Sequence, residues 1–201
     1  MDFMQVKISL KDCSLPVWRR VIMPIASYTL YDLHLVIQAV MGWTDSHLHG
    51  FFIDTKLYVD KKAEWEGGVD DEYEDERLIV IRSFLKRLPK QIIYTYDFGD
   101  SWDHEIKFER YVVSKIEATY PMCINGSGAC PPEDIGGMGG YGNFLEAVKY
   151  PKRKANRELL KWYGYEDQHE GIFDPTAFDL DGANSELRES FKKNKRKVIL
   201  K

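Results

Sequence analysis

The chain has 201 residues, 44% hydrophobic and 13% aromatic, with a formal net charge of −4. A chain of this length can bury about 70% of its unfolded surface around one core, so a single domain is expected. No run approaches the roughly 20 apolar residues of a membrane span. The start, "MDFMQVKISLKDC", lacks the basic and apolar stretches of a secretory leader, so a soluble, cytoplasmic protein with no membrane partner is expected.

Cys13, Cys123 and Cys130 are odd in number and show no C-x-x-C spacing, which argues against a disulfide framework and a zinc ribbon. The charge is uneven. Residues 188–201 carry seven Lys/Arg against one acid, net +6, which leaves residues 1–187 at −10. An acidic body disfavours a broad nucleic-acid face, because phosphate attraction needs concentrated positive charge. Residues 1–187 are therefore read as the domain and 188–201 as a basic tail able to make weak nucleic-acid contacts.

In chain order, Met4, Val6, Ile8 and Leu10 alternate with polar residues, the period of a half-buried strand. "VWRRVIM" pairs back as a second strand with Trp18, Arg20 and Ile22 on one face. Thr29 and Asp32 make a capping box for a helix striped by Leu33, Val36, Ile37, Val40 and Met41 and stopped by Gly42. "HLHGFFI" sets His47, His49, Phe51 and Ile53 on one strand face. Residues 64–76 hold eight acids in thirteen positions; such a run repels itself, predicts a wet surface loop, and does not match EF-hand spacing. "LIVIRSFLKRL" fits either a strand or a short helix.

"YDFGDSWDHEI", residues 96–106, joins two apolar sets: Ile92, Tyr94, Tyr96 and Phe98, then Trp102, His104, Ile106 and Phe108. For both sets to face one side the hairpin needs an odd loop, and Gly99-Asp100-Ser101 supplies three residues. That register opposes Phe98 to Trp102 and Tyr96 to His104. It puts His104 on the apolar face, Asp97 and Asp103 on the other face, and Asp100 at the tip.

"CINGSGACPPEDIGGMGGYGNFLEAV" holds seven of the fifteen glycines and reads as a long Gly/Pro-rich loop kept for binding or close packing. Its literal G-x-G-x-x-G at 137–142 follows Pro-Pro-Glu-Asp instead of a strand, so a dinucleotide site is rejected. There is no P-loop. Helices are expected from Asn143 to Val148, from Asn156 to Gly164, and from Asn184 to Asn194.

These stretches, with "LPVWRRV", "WTDSHLHGF" and "FDPTAFDLDGAN", resemble the signatures of the plasmid pRiA open-reading-frame-three-like family over residues 4 to about 185. The resemblance implies a single α+β domain with a mostly antiparallel sheet, found in microbes and on plasmids, and assigns no biochemical activity. Some members carry resolvase-like names, but this sequence has neither an arginine-flanked nucleophilic serine near its start nor an Arg/His/Tyr recombinase set.

Two functions follow. The favoured one is a non-catalytic binding or accessory module, linked to mobile genetic elements, which would offer Trp43, Tyr141, Trp162 and Tyr163 as anchors to a protein or other partner. The alternative is a metal-dependent hydrolase in which His49, Asp97, Asp100, His104, Glu133 and Asp134 gather under the Pro-Pro-Glu-Asp loop. His49, His104 and Asp100 would then ligate a divalent metal that lowers the pKa of its water. Beside this stands the plain reading that His104 is a hydrogen-bonded core histidine and the aspartates satisfy turn amides.

Overall fold

Alternation of apolar and polar residues builds the sheet first. The computed structural model describes residues 2–63, 65, 68, 70, 72–113, 120–164 and 173–193. Strands β1 (Asp2–Leu10) and β2 (Trp18–Pro24) form the expected antiparallel pair, with Met4, Val6, Ile8 and Leu10 buried on the core side. On β2 Arg19, Val21, Met23 and Pro24 are buried, and Trp18, Arg20 and Ile22 share the outer face. The remaining strands are β3 (His49–Ile53), β4 (Lys56–Val59), β5 (Glu74–Asp75), β6 (Ile92–Tyr96), β7 (Trp102–Val113) and β8 (Met122–Ser127). They make one sheet of order β5-β4-β3-β6-β7-β1-β2-β8, antiparallel except between β4 and β5.

Helix α1 (Leu30–Met41) carries the predicted capping box, and Gly42 ends it in a left-handed conformation. Leu30, Leu33, Val36, Ile37, Val40 and Met41 join the core, each adding about 1.5–3 kcal/mol of burial free energy. Asp32, His34 and Gln38 are buried with them. A helix buried nearly all round must be covered on several sides; α4 (Leu180–Lys193) and the 3-10 turn Glu76–Leu78 pack against it. A second 3-10 turn, Ile81–Lys86, resolves "LIVIRSFLKRL" as helical.

Four local expectations differ from the structure. First, the β6–β7 register is Tyr96↔Trp102 and Tyr94↔His104, so the loop is the five residues Asp97–Ser101 instead of three. Asp97 turns left-handed (φ 54), its carboxylate accepts the Gly99 amide at 2.9 Å, and Phe98 leaves the sheet to meet Trp65. The loop stays odd, so His104 keeps its apolar face.

Second, the acidic run does not end in solvent: Glu74 and Asp75 pair with β4, and Glu76 is fully buried. Third, the Gly/Pro-rich segment is a loop only between β8 and α2 (Gly137–Lys149). Its glycines permit close approach. A Cβ on Gly140 would overlap the Ile135 carbonyl, and one on Gly137 (φ 64) would sit 2.7 Å from the Asp100 carbonyl oxygen. Fourth, α3 (Lys154–Trp162) and α4 begin before Asn156 and Asn184. Asn156 instead caps the end of α2 by donating to the Tyr150 carbonyl, and Asn184 pairs its amide with both backbone groups of Cys123.

Helix α4 runs through residue 188 with Phe191 stacked on Tyr28, so the described part of the expected tail belongs to the packed body. Residues 194–201 lie outside the described residues. Among the described residues, no helix is long and apolar enough to cross a membrane.

Candidate functional site

Where β6 ends and β3 begins, the 43–49 segment is held between two walls. Trp43 packs into the core against Tyr96 and Trp102. Glu133 accepts from the Thr44 amide at 2.7 Å, from the Thr44 hydroxyl at 3.0 Å and from the Tyr96 hydroxyl at 3.2 Å. The Pro-Pro-Glu-Asp segment does close on the hairpin tip, because Asp100 accepts the Gly136 amide at 3.0 Å. From this segment Asp45, His47 and His49 lead to two imidazole–carboxylate groups.

The outer group centres on His47. Its Nε2 lies 3.1 Å from Asp134 and 3.8 Å from Glu133, and its Nδ1 lies 3.8 Å from Asp97. One ligand atom each from His47, Asp97 and Asp134 lies within 4.8 Å of the others. Asp97 and Asp134 both hold left-handed backbone, φ 54, in two separate turns whose carboxylates reach the His47 ring.

The inner group joins α1 to β3. The His34 and His49 rings stack at 3.6 Å with 4° between planes. His34 Nδ1 is 2.8 Å from the Tyr94 hydroxyl, which also accepts from Gln38 at 2.9 Å. His49 Nε2 is 2.9 Å from the buried Glu76. His34 Nε2 sits 3.0 Å from Asp45 Oδ1 but off the line of an N–H bond, so it is a close contact without a hydrogen bond. Burial holds the His34 pKa down at about 4, against the pull of Asp45, and keeps the ring neutral near pH 7. Burial pushes the Glu76 carboxyl up, although His49 opposes this. Alongside, Asp60 takes a bidentate pair from Arg77 at 2.7 and 2.6 Å, and the Arg77 guanidinium lies over Tyr31. A cavity of about 350 Å³ opens beside His34, Asp45, His47 and His49.

The six predicted site residues therefore divide. Asp97, Glu133 and Asp134 meet around His47; Asp100 stands next to them but spends its carboxylate on a backbone amide. His49 faces inward to His34 and Glu76. His104 is fully buried, its Nδ1 3.3 Å from the Tyr94 carbonyl, and burial lowers its pKa to about 4. Among the described residues no three-ligand group contains His104 or Asp100. The predicted aromatic anchors divide too. Trp43 and Tyr141 are buried in the core, whereas Trp162 is 70% exposed and Tyr163 half-buried.

Sequence reasoning missed His47, His34, Asp45 and Glu76. His34 stands four residues after Leu30 and three before Ile37, inside the apolar stripe, where a polar residue signals a specific partner. Asp45-x-His47-x-His49 is a visible alternation. Glu76 gave no signal among seven neighbouring acids.

The fold and these groups define an α+β protein with a mostly antiparallel sheet and imidazole–carboxylate clusters at one end. The chain belongs to the plasmid pRiA4b ORF-3-like family, whose family model matches residues 2–182. It is 37% identical over 163 residues to the uncharacterized protein y4hQ of Sinorhizobium fredii, covering 81% of each chain. A crystal structure of a protein of unknown function from Methanosarcina mazei Go1 superposes with a TM-score of 0.75 at 32% identity, covering 90% of this chain and 96% of that one.

Proposed function

We propose that the protein is a cytoplasmic binding and accessory module that works through a divalent cation held on its open rim by His47, Asp97 and Asp134, with Glu133 beside them. The carrying observation is convergence of two separate segments, one with Asp97 and one with Glu133 and Asp134, on the His47 imidazole. Among the described residues, the His47 ring is the group within ion-pair distance of Asp97, Glu133 and Asp134. An imidazole with carboxylate oxygens suits borderline ions such as Mn²⁺ or Zn²⁺. The Asp134 side chain is 70% exposed, which leaves room on the outer side for a partner's oxygen to complete coordination. The plasmid in the family's name supports a role beside mobile DNA. The basic stretch 188–201 adds weak phosphate contacts, expected as salt-sensitive retention on DNA that disappears when residues 194–201 are removed.

Calorimetric titration of the full chain with Mn²⁺ and then Zn²⁺ tests the rim. Binding is expected, with a loss of affinity of about tenfold or more in His47→Ala and in Asp97→Asn. Heats that are absent, or identical in both variants, overturn the reading.

A further inference from the structure

We propose that helix α3, with the turn leading into it, is a docking surface for single-stranded DNA, on which Trp162 stacks a base while the surrounding cations hold phosphates. It stands apart from the rim cation and from the phosphate contacts of the 188–201 stretch. Only the choice of DNA over RNA rests on the role beside mobile DNA proposed above.

Charge comes first. Residues 146–162 carry Lys149, Lys152, Arg153, Lys154, Arg157 and Lys161 against Glu146 and Glu158, a net +4, whereas the rest of residues 1–187 is at −14. All six cations are exposed. One positive patch on an acidic body draws phosphate to that place and repels it elsewhere.

Helical spacing comes second. Lys154, Arg157 and Lys161 recur at intervals of three and four residues, so they share one face of α3 with Glu158 and Trp162. The other side is spent on the body. Leu160 is buried, Leu159 is half-buried, and α3 packs on α2. A helix whose apolar side is already occupied has no face left to lie in a lipid interface, which disfavours a membrane as the occupant.

The aromatic groups come third, and they favour nucleic acid over an acidic protein. Trp162 remains 70% exposed although Tyr163 meets it edge-on at 4.7 Å. An indole among cations is a stacking platform for bases. Arg153 and Lys149 lie over the Tyr150 ring at 4.3 and 5.2 Å, which holds both charges close to the surface where the helix begins. Ala155, seven residues before Trp162, lies next to it on the helix and lines a groove of about 590 Å³ with Asn143, Asn156, Leu159 and Tyr163. A base on the indole therefore sits at the mouth of a groove within the size range of small-molecule sites. Paired DNA keeps its base faces stacked inside the duplex, so this surface selects the single strand.

The test uses the full chain in EDTA, which keeps added cations off the rim, and a fluorescein-labelled oligo(dT) of about 12 nucleotides. Fluorescence anisotropy should show binding, and tryptophan emission should be quenched as the strand is added. Trp162→Ala should weaken binding about tenfold and remove most of the quenching, whereas Trp162→Phe should retain binding. Lys154→Gln with Arg157→Gln should flatten the dependence of log affinity on log salt by about 1.4, at about 0.7 per lost phosphate contact. All three positions are exposed, and near-UV circular dichroism confirms the fold of each variant. Removing residues 194–201 should leave the quenching in place, since phosphate contacts alone do not cover an indole. The proposal is overturned if the strand does not bind or if Trp162→Ala binds as well as the parent. It is equally overturned if the matching ribo-oligonucleotide, the duplex, polyglutamate or an anionic phosphatidylserine vesicle binds more tightly. Each of these failures leaves the rim reading standing, because that reading is decided by the titrations with Mn²⁺ and Zn²⁺.

Discussion

His104 shows how a titratable residue in a distinctive motif can be structural. Its pKa is held at about 4 by burial, against about 6.5 in an unfolded chain. The unfolded state therefore binds the proton first. Stability from this residue is complete above pH 6.5 and is lost as pH falls toward 4, by on the order of 3 kcal/mol. Urea unfolding at several pH values between 7.5 and 4.5 should show that decline, with a shallower slope in His104→Leu. Arg19 is a buried charge with no place in either imidazole group. Only 2% exposed, it donates to the carbonyls of Val40, Trp18 and Ser127 and lies over the Phe178 ring. Removing it strands those acceptors, so Arg19→Met should lose about 2–3 kcal/mol in denaturant titration.

At the scale of elements, the start of α2 is fixed by the hairpin tip lying on it. Gly137 combines φ 64 with the Asp100 carbonyl where a side chain would go, while Gly139, two residues on, faces open space. Gly137→Ala should lower stability by about 1–3 kcal/mol. Gly139→Ala should raise it by up to about 1 kcal/mol, because alanine is the better helix former. Opposite shifts in thermal midpoint would check the pair. This contrast also explains what was readable. The helix at 30–41 and strand β1 announce themselves because propensity, caps and periodicity agree. The glycine run reads locally as loop, since the contact that shapes the start of its helix comes from Asp100, 37 residues before Gly137. The hairpin illustrates a middle case: face alternation requires an odd loop, but parity does not separate three residues from five. His49 stands out in the sequence as an imidazole on an apolar strand face, whereas its partner Glu76 resembled the acids around it until folding placed it inside.

For the whole molecule, the C-terminal helix is part of the architecture. Leu187 is fully buried, Asn184 is bonded to β8, and α4 covers α1. A chain ending before Leu180 should fail to reach the native state, seen as lost near-UV circular dichroism and a broad thermal transition. The family match, running through residue 182, takes in the first turn of that helix.

The last consequence concerns the two margins of the sheet. At one end β5 is only two residues long and both are acidic; at the other, the Cys123 peptide groups are already engaged by an asparagine side chain. A neighbouring chain looking for a strand to extend meets charge on one flank and an occupied ladder on the other. Such a protein should stay dispersed when crowded, and Asn184→Ala should be the change that first lets copies zip together into aggregates.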